Sequence, residues 1–143
     1  LEKNPQNLIP IVMEAAIGQR SKIDIYGKDY STMDGTCVRD YIHVSDLASA
    51  HLDTIDFIRR EKKDLIINLG TGGGYSVLDV VNKVQEICNV SIKYDFGNRR
   101  PGDSDIVVAN SELAKKLMSW EAKYSDLETI IKSTWSVYKS SEF

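Results

Sequence analysis

The stretch Asp34-Gly35-Thr36-Cys37-Val38-Arg39-Asp40-Tyr41-Ile42-His43-Val44 constrains this chain most. A polar Asp-Gly turn leads into a β-prone run over 37–44, and Ser45 then offers a side-chain N-cap. The pattern predicts strand, turn and helix in close succession. An arginine inside an apolar strand is costly unless its charge is paired or meets an anion. Two readings of Arg39 follow. Either it forms a structural ion pair, with Asp40 or with an aspartate elsewhere, or its planar fork grips a phosphate or carboxylate.

Composition narrows the partners. Among 143 residues, 42% are hydrophobic and 27% charged, as in a globular chain with its own core. The net charge of −3 supplies no global basic field, so nucleic acid is not an expected partner. Any anion site must be local, built from a few placed arginines. Cys37 and Cys88 are far apart and lack metal-ligand spacing, which points to buried thiols in a reducing cytoplasm. No apolar run reaches the roughly 18 residues that would cross a bilayer, and no signal peptide is visible. The chain opens on Leu1-Glu2-Lys3-Asn4-Pro5 without methionine, and Ser141-Glu142-Phe143 reads as an ordinary end. The expectation is a C-terminal piece of a longer protein.

Periodicity gives an alternating order. Asn7 is placed to cap a helix over about 8–18, with Pro10 in the first turn and Gly18 at the stop. Residues 23–26 alternate as a short strand, and 28–36 form a polar loop. A long amphipathic helix runs from Ser45 to about Lys63, its basic end complementing the helix dipole. Leu65-Ile66-Ile67-Asn68-Leu69 predicts a strand buried on both faces, as in a parallel sheet. Ser76 and Asp79 form a capping box for a helix to Cys88. A strand over 90–96, a short apolar stretch over 106–109 and two helices complete the chain. Asn110 or Ser111 caps the first of these helices and Asp126 opens the second. Strands alternating with helices define an α/β class.

Two further constellations concern ligands. Gly70-Thr71-Gly72-Gly73-Gly74, between a predicted strand and a helix, has the context of a dinucleotide fingerprint, and Asp95 stands near the end of the next strand. Tyr75 occupies the position of the third glycine, however. The competing reading is a loop that lets the backbone pass close to another part of the chain. In Arg99-Arg100-Pro101-Gly102-Asp103, an arginine and an acid flank a turn. They could face one ligand, the arginine on phosphate and the aspartate on sugar hydroxyls, or form a local surface ion pair. Arg39 and Arg100 would together match the charges of a diphosphate. His43 and His51 read as core or helix-face residues rather than metal ligands.

The chain resembles the UDP-glucose 4-epimerase family over essentially its whole length. The resemblance rests on Asn7-Leu8-Ile9-Pro10, on Ile25-Tyr26-Gly27 with Asp29-Tyr30 and Thr32, and on the Asp34-Gly35-Thr36-x-Val38-Arg39-Asp40-Tyr41-Ile42-His43-Val44 block followed by Asp46-Leu47-Ala48. Asn68-Leu69-Gly70, Ser76-Val77-Leu78-Asp79-Val80 and Arg99-Arg100-x-Gly102-Asp103 extend it. The family belongs to the extended short-chain dehydrogenases/reductases. What the resemblance implies is the C-terminal, UDP-sugar-binding part of that Rossmann-type fold over 1–143, without the N-terminal half that binds NAD and carries the Tyr-x-x-x-Lys pair. The glycine loop is then not the NAD pyrophosphate site.

The resemblance also implies roles. Asn7 would approach the hexose, and the Leu8 N–H would meet a phosphate. The backbones of Asp24 and Tyr26 would read uracil, with the Tyr26 ring packed on the base. Arg39 and Arg100 would clamp the diphosphate, Tyr41 and Val77 would line the nucleotide site, and Asp103 would hold the ribose hydroxyls. Val107, four residues beyond Asp103, would stand beside the sugar, where a small side chain leaves room for an N-acetyl group. The implied protein is a cytoplasmic, homodimeric isomerase when intact. It uses NAD to oxidise and re-reduce C4 of a UDP-hexose, and it has no nucleic-acid or membrane partner. The chain by itself would be inactive.

Overall fold

The computed structural model describes residues 4–140; the expectations for residues 1–3 and 141–143 lie outside the described residues. Among the described residues, five helices and five short strands are interspersed, giving the expected α/β class. Helix α1 spans Leu8–Ala16. Pro10 sits in its first turn, where a backbone N–H has no helical acceptor to lose. Asn7 has the extended backbone of a cap, but its side chain makes no capping bond.

Strand β1, Ile23–Tyr26, buries Ile23 and Ile25 and exposes Asp24 and Tyr26. It pairs in parallel with β4, Tyr94–Gly97. The strand expected over 90–96 is therefore shorter and shifted towards its C-terminal end. Strand β2, Val38–Arg39, is central in a three-stranded sheet. It runs antiparallel to β3, Tyr75–Ser76, and parallel to β5, Ile106–Val107.

The run over 37–44 is thus strand for only two residues. One further ladder bond forms, from Asp40 N to Val107 O. Beyond it the chain turns into α2, Val44–Glu61. The expected cap, Ser45, lies inside that helix. His43 is the N-cap, its Nδ1 accepting from Ser45 N at 3.1 Å. Its Nε2 lies 3.0 Å from Ser133 Oγ, which gives the histidine a structural task.

The stretch 65–69 also departs from expectation. It has no strand partner among the described residues. Its burial still alternates: Ile67 and Leu69 pack inwards, while Ile66 is 94% exposed. An apolar run that would be covered on both faces inside a sheet is covered here on one.

Helix α3, Val77–Cys88, starts with the expected reciprocal box: Ser76 Oγ accepts from Asp79 N, and Asp79 Oδ2 from Ser76 N, both at 2.9 Å. Helices α4, Glu112–Met118, and α5, Leu127–Ser140, complete the chain. Ser111 is the N-cap residue of α4 without a side-chain bond, and Asn110 Oδ1 accepts from Glu112 N instead. Asp126 Oδ1 accepts from Thr129 N at the start of α5.

The main core joins α1, β1, α3 and α5 through Val12, Met13, Ile23, Ile25, Val80, Val81, Val84 and Ile131. Burying side chains of this size stabilises by roughly 1.5–3 kcal/mol each. A second, smaller cluster under α2 and α4 consists of Ala50, Ala114 and Trp120. A cleft opens between the start of α1, the outer face of β1, the segment 37–41 and the turn at 100–103.

Candidate functional site

That cleft is a cavity of about 810 Å³. Nine of the ten residues singled out in the sequence line it: Asn7, Leu8, Asp24, Tyr26, Arg39, Tyr41, Val77, Arg100 and Asp103. They come from separate elements. Asn7 and Leu8 supply the start of α1, Asp24 and Tyr26 the outward positions of β1, and Arg39 the central strand of the other sheet. Arg100 and Asp103 come from the turn after β4. Val107 is not among the lining residues. It lies on β5 beside Arg39 and is 51% exposed.

Of the two readings of Arg39, the ion pair is present, with an aspartate far along the chain. Nη2 meets Asp103 Oδ1 at 3.3 Å, while Nη1 donates to Val38 O at 2.7 Å and Ser104 O at 2.9 Å. Both side chains keep about a third of their surface open, so the pair is accessible from the cavity. Arg100 lies over the Tyr26 ring, 4.1 Å from its centroid. A guanidinium over an aromatic face is attracted by the ring quadrupole and held in one orientation. Burial pushes the Tyr41 phenol up to about 12, so this wall of the cavity remains uncharged.

The loops that carry these groups are pinned from behind. Gly35 adopts φ +78°, and a Cβ there would stand 2.3 Å from Lys28 O, so the Asp34-Gly35 turn admits glycine. Asp34 accepts from Thr36 N and Thr36 Oγ1, each at 2.8 Å, and from Ser76 Oγ. Burial acts to raise the Asp34 carboxyl, but the bonds from Ser76 and Thr36 outweigh it and hold it below its ordinary value. Arg99 bridges the two loops. It bonds Asp29 Oδ1 at 2.8 Å and lies 4.1 Å over the Tyr30 ring.

Asp40 is a tether rather than a partner of Arg39. Its carboxylate accepts from Thr71 Oγ1 at 2.7 Å, Thr71 N at 3.1 Å and Ala109 N at 3.3 Å. This explains the glycine loop. A Cβ on Gly70 would approach Asp40 Oδ2 to 2.4 Å, and one on Gly74 would approach Val38 Cγ1 to 2.7 Å. These glycines admit another part of the chain, as the competing reading has it. With no strand at 65–69, the loop also lacks the strand-to-helix setting that a dinucleotide pyrophosphate needs. The loop at 70–74 does not have the setting of a dinucleotide fingerprint.

The cavity is also lined by residues that sequence reasoning did not assign to it, Arg20 and Cys37 among them. Arg20 faces the cavity while tied to Glu14 at 2.7 Å, and Cys37 lies at its wall. Nothing in the spacing marks Arg20. Cys37 is two residues before Arg39, and strand alternation would have placed the pair on one face.

A family profile described as GDP-mannose 4,6 dehydratase matches residues 2–134, and the chain belongs to that family. Within it, UDP-glucose 4-epimerases are the relatives most in evidence. The one from Halalkalibacterium halodurans is 41% identical over 133 residues, which are 93% of this chain and 40% of the relative. The structure of UDP-glucose 4-epimerase from Stenotrophomonas maltophila, with bound NAD and formylated UDP-arabinopyranose, superposes with a TM-score of 0.93 at 36% identity, covering 98% of this chain and 41% of that one. The UDP-Glc/GlcNAc 4-epimerase of Campylobacter jejuni gives 0.85 at 38% identity, covering 97% and 43%. The α/β fold is thus that of one part of a UDP-glucose 4-epimerase. The chain spans about 40% of the length of the curated relatives it matches.

Proposed function

We propose that residues 1–143 are the UDP-sugar-binding, C-terminal portion of an NAD-dependent UDP-glucose 4-epimerase, an isomerase when intact. The observation that carries this reading is the convergence of two arginines, an aspartate and an aromatic ring on one cavity. In this reading Arg39 and Arg100 neutralise the diphosphate, Tyr26 stacks on uracil, Asp103 accepts from the ribose hydroxyls, and Asn7 reaches the hexose. Anchoring UDP on this portion leaves the sugar tethered while its C4 is oxidised and re-reduced.

NAD belongs to an N-terminal Rossmann half outside this sequence, a reading supported by Gly70 and Gly74, the two ends of the glycine loop, being packed against their own chain. Hydride chemistry is the cofactor's, and the present residues bind and orient. The isolated chain is therefore inactive. A cytoplasmic, homodimeric protein completes the proposal, with two free thiols, Cys37 and Cys88, suited to a reducing compartment.

Calorimetric titration of the full-length protein with UDP tests the clamp. Arg39→Ala and Arg100→Ala should each weaken UDP by about 1.5–3 kcal/mol, the scale of a charged hydrogen bond. Unchanged affinity in both variants would remove the assignment.

Substrate range follows from Val107. In this reading Val107, half-exposed on β5 next to the Arg39 position and outside the cavity lining, stands at the sugar end of the ligand, where its small side chain would admit an N-acetyl group at C2. The Campylobacter jejuni relative, a UDP-Glc/GlcNAc 4-epimerase, supports a dual range. Val107→Tyr should abolish turnover of UDP-GlcNAc and UDP-GalNAc while sparing UDP-glucose and UDP-galactose, read as kcat/KM for each. Equal loss of both activities would show that the position does not gate size.

A further inference from the structure

Arg99 and Arg100 are consecutive, yet Arg100 lines the cavity and Arg99 does not. Each guanidinium lies over a tyrosine ring, 4.1 Å from its centroid: Arg100 over Tyr26 and Arg99 over Tyr30. The two rings differ in setting. Tyr26 is 40% exposed on the outer face of β1, whereas Tyr30 is buried. Gly27 separates them at the end of β1 with φ +91°. A Cβ there would stand 2.3 Å from Tyr30 Cε2 and 2.9 Å from Arg99 Cγ, so the close approach of the Arg99–Tyr30 stack requires glycine.

Arg99 is fastened at several points. Its Nε donates to Asp29 Oδ1 at 2.8 Å, its Nη2 to Asp29 O, and its Nη1 lies 3.6 Å from Asp105 Oδ1. Asp105 Oδ2 in turn accepts from Ser31 N at 3.0 Å, and Asp105 O from Val38 N at 2.8 Å. The segment 29–31 and the turn 99–105 are thus cross-linked through Arg99 and Asp105. The segment has a firm base, since Tyr30 N donates to Gly35 O at 3.0 Å within the turn that Asp34 pins. Arg100 is held differently. Its ring contact is on an exposed tyrosine, where a cation–π attraction is weak. Its direction therefore depends on the backbone that Arg99 fixes one residue earlier.

We propose that Arg99 is a positioning residue for the diphosphate clamp. Its stack on Tyr30 and its bonds to Asp29 fix the backbone from which Arg100 reaches over Tyr26 into the cavity. The inference rests on the reading under Proposed function, in which Arg100 meets the diphosphate. A guanidinium already held in place loses less freedom on binding than a mobile one, and this is what Arg99 contributes. Its effect on the ligand passes through Arg100.

The test is a double-mutant cycle in the full-length protein. Wild type, Arg99→Gln, Arg100→Ala and the double variant are each titrated calorimetrically with UDP, with a thermal melt to check folding. Arg99→Gln should raise the Kd for UDP about fivefold alone, and less than about twofold where Arg100 is already alanine. Additive losses would mean that Arg99 acts by its own charge or by loosening the cavity as a whole, and would overturn the inference. Undiminished UDP affinity in Arg99→Gln, with Arg100→Ala weakened, would overturn it while leaving the reading of the cavity intact. Should Arg99→Gln fail to melt cooperatively, Asp29→Ala, at an exposed position, replaces it in the cycle. That variant should raise the Kd about threefold alone and add nothing to Arg100→Ala, and the same outcomes overturn the inference. A wild-type protein that fails to bind UDP, or an Arg100→Ala variant that binds it undiminished, would overturn the clamp itself and the inference with it.

Discussion

The two layers of this chain are held together by different physics. The layer of α1, β1, α3 and α5 closes on a continuous apolar core in which Val12, Met13, Val80, Val81, Val84 and Ile131 are fully buried. The layer of α2 and α4 has a core of Ala50, Ala114 and Trp120. What it lacks in apolar volume it replaces with a polar knot at Asp46. That carboxylate, almost fully buried, accepts from Lys123 N at 3.0 Å, Tyr124 N at 2.9 Å and Ser125 Oγ at 2.6 Å. Trp120 Nε1 adds bonds to Ser49 Oγ at 3.0 Å and Asp46 O at 3.2 Å. The first layer seals itself, whereas the second is fastened at one end of α2 and leaves the rest of that helix and the stretch 65–69 open.

The sharpest way to test this contrast is to open a void in the first layer. Ile131→Ala removes a fully buried side chain between α5 and the main core. It should cost about 4 kcal/mol, transfer and cavity contributions together, measured by urea unfolding. A cost below about 1 kcal/mol would mean that this core is not the principal source of stability.

Next in size is the knot. Asp46→Ala strands two backbone N–H groups and a hydroxyl, for a loss of about 3 kcal/mol. This loss depends on pH, whereas that of Ile131→Ala does not. Burial acts to raise the Asp46 carboxyl, but the bonds from Ser125, Lys123 and Tyr124 prevail and hold it below its ordinary 3.8. A carboxyl with a lowered folded value contributes its full stability above the unfolded value and loses it as pH falls through the folded one. The gap between wild type and Asp46→Ala should therefore be constant from about pH 7 to 5 and narrow below about pH 4. A gap that widens in acid would contradict the assignment.

The same contrast explains what the sequence made legible. Elements whose determinants are local were readable: the Ser76/Asp79 box, the alternation of Ile23 to Tyr26, and Pro10 and Gly18 at the two ends of α1 all act within a few residues. The misread elements depend on distant partners. Residues 41–43 leave the sheet where Asp40 is drawn to Thr71 and Ala109, and His43 becomes a cap supported by Ser125 and Ser133. None of these pairings is visible in spacing. The run at 65–69 has the composition of a doubly buried strand, but a strand exists only with a neighbour. Of the cavity residues, Arg39, Arg100 and Asp103 were legible from chemistry, because an arginine in a strand or beside a turn is uncommon enough to stand out, whereas Asn7, Leu8, Asp24, Tyr26, Tyr41 and Val77 were named only through the family resemblance. The detailed partners of Arg39 and Arg100, Asp103 and the Tyr26 ring, required the fold.

The smallest expected effect probes the open side of the comparison. On α2, Val44, Ala48, Leu52 and Ile55 recur at helical spacing; Leu52 is 66% exposed and Ile55 46%. Ile66 extends the apolar surface beyond the helix. Exposed apolar groups in such a series normally mark a covered face. In the proposed intact epimerase, the Rossmann half covers it and supplies the strand that 65–69 lacks. In the isolated chain, Leu52→Ser and Ile55→Ser remove side chains that are only partly covered, so each should change unfolding free energy by no more than about 1 kcal/mol. Both should also reduce self-association, read by analytical ultracentrifugation. In the full-length protein the same two substitutions should each cost about 2 kcal/mol or more, because the proposal buries those side chains there. Equal, small costs in both contexts would mean that this face stays in solvent and that the second layer is complete as it stands.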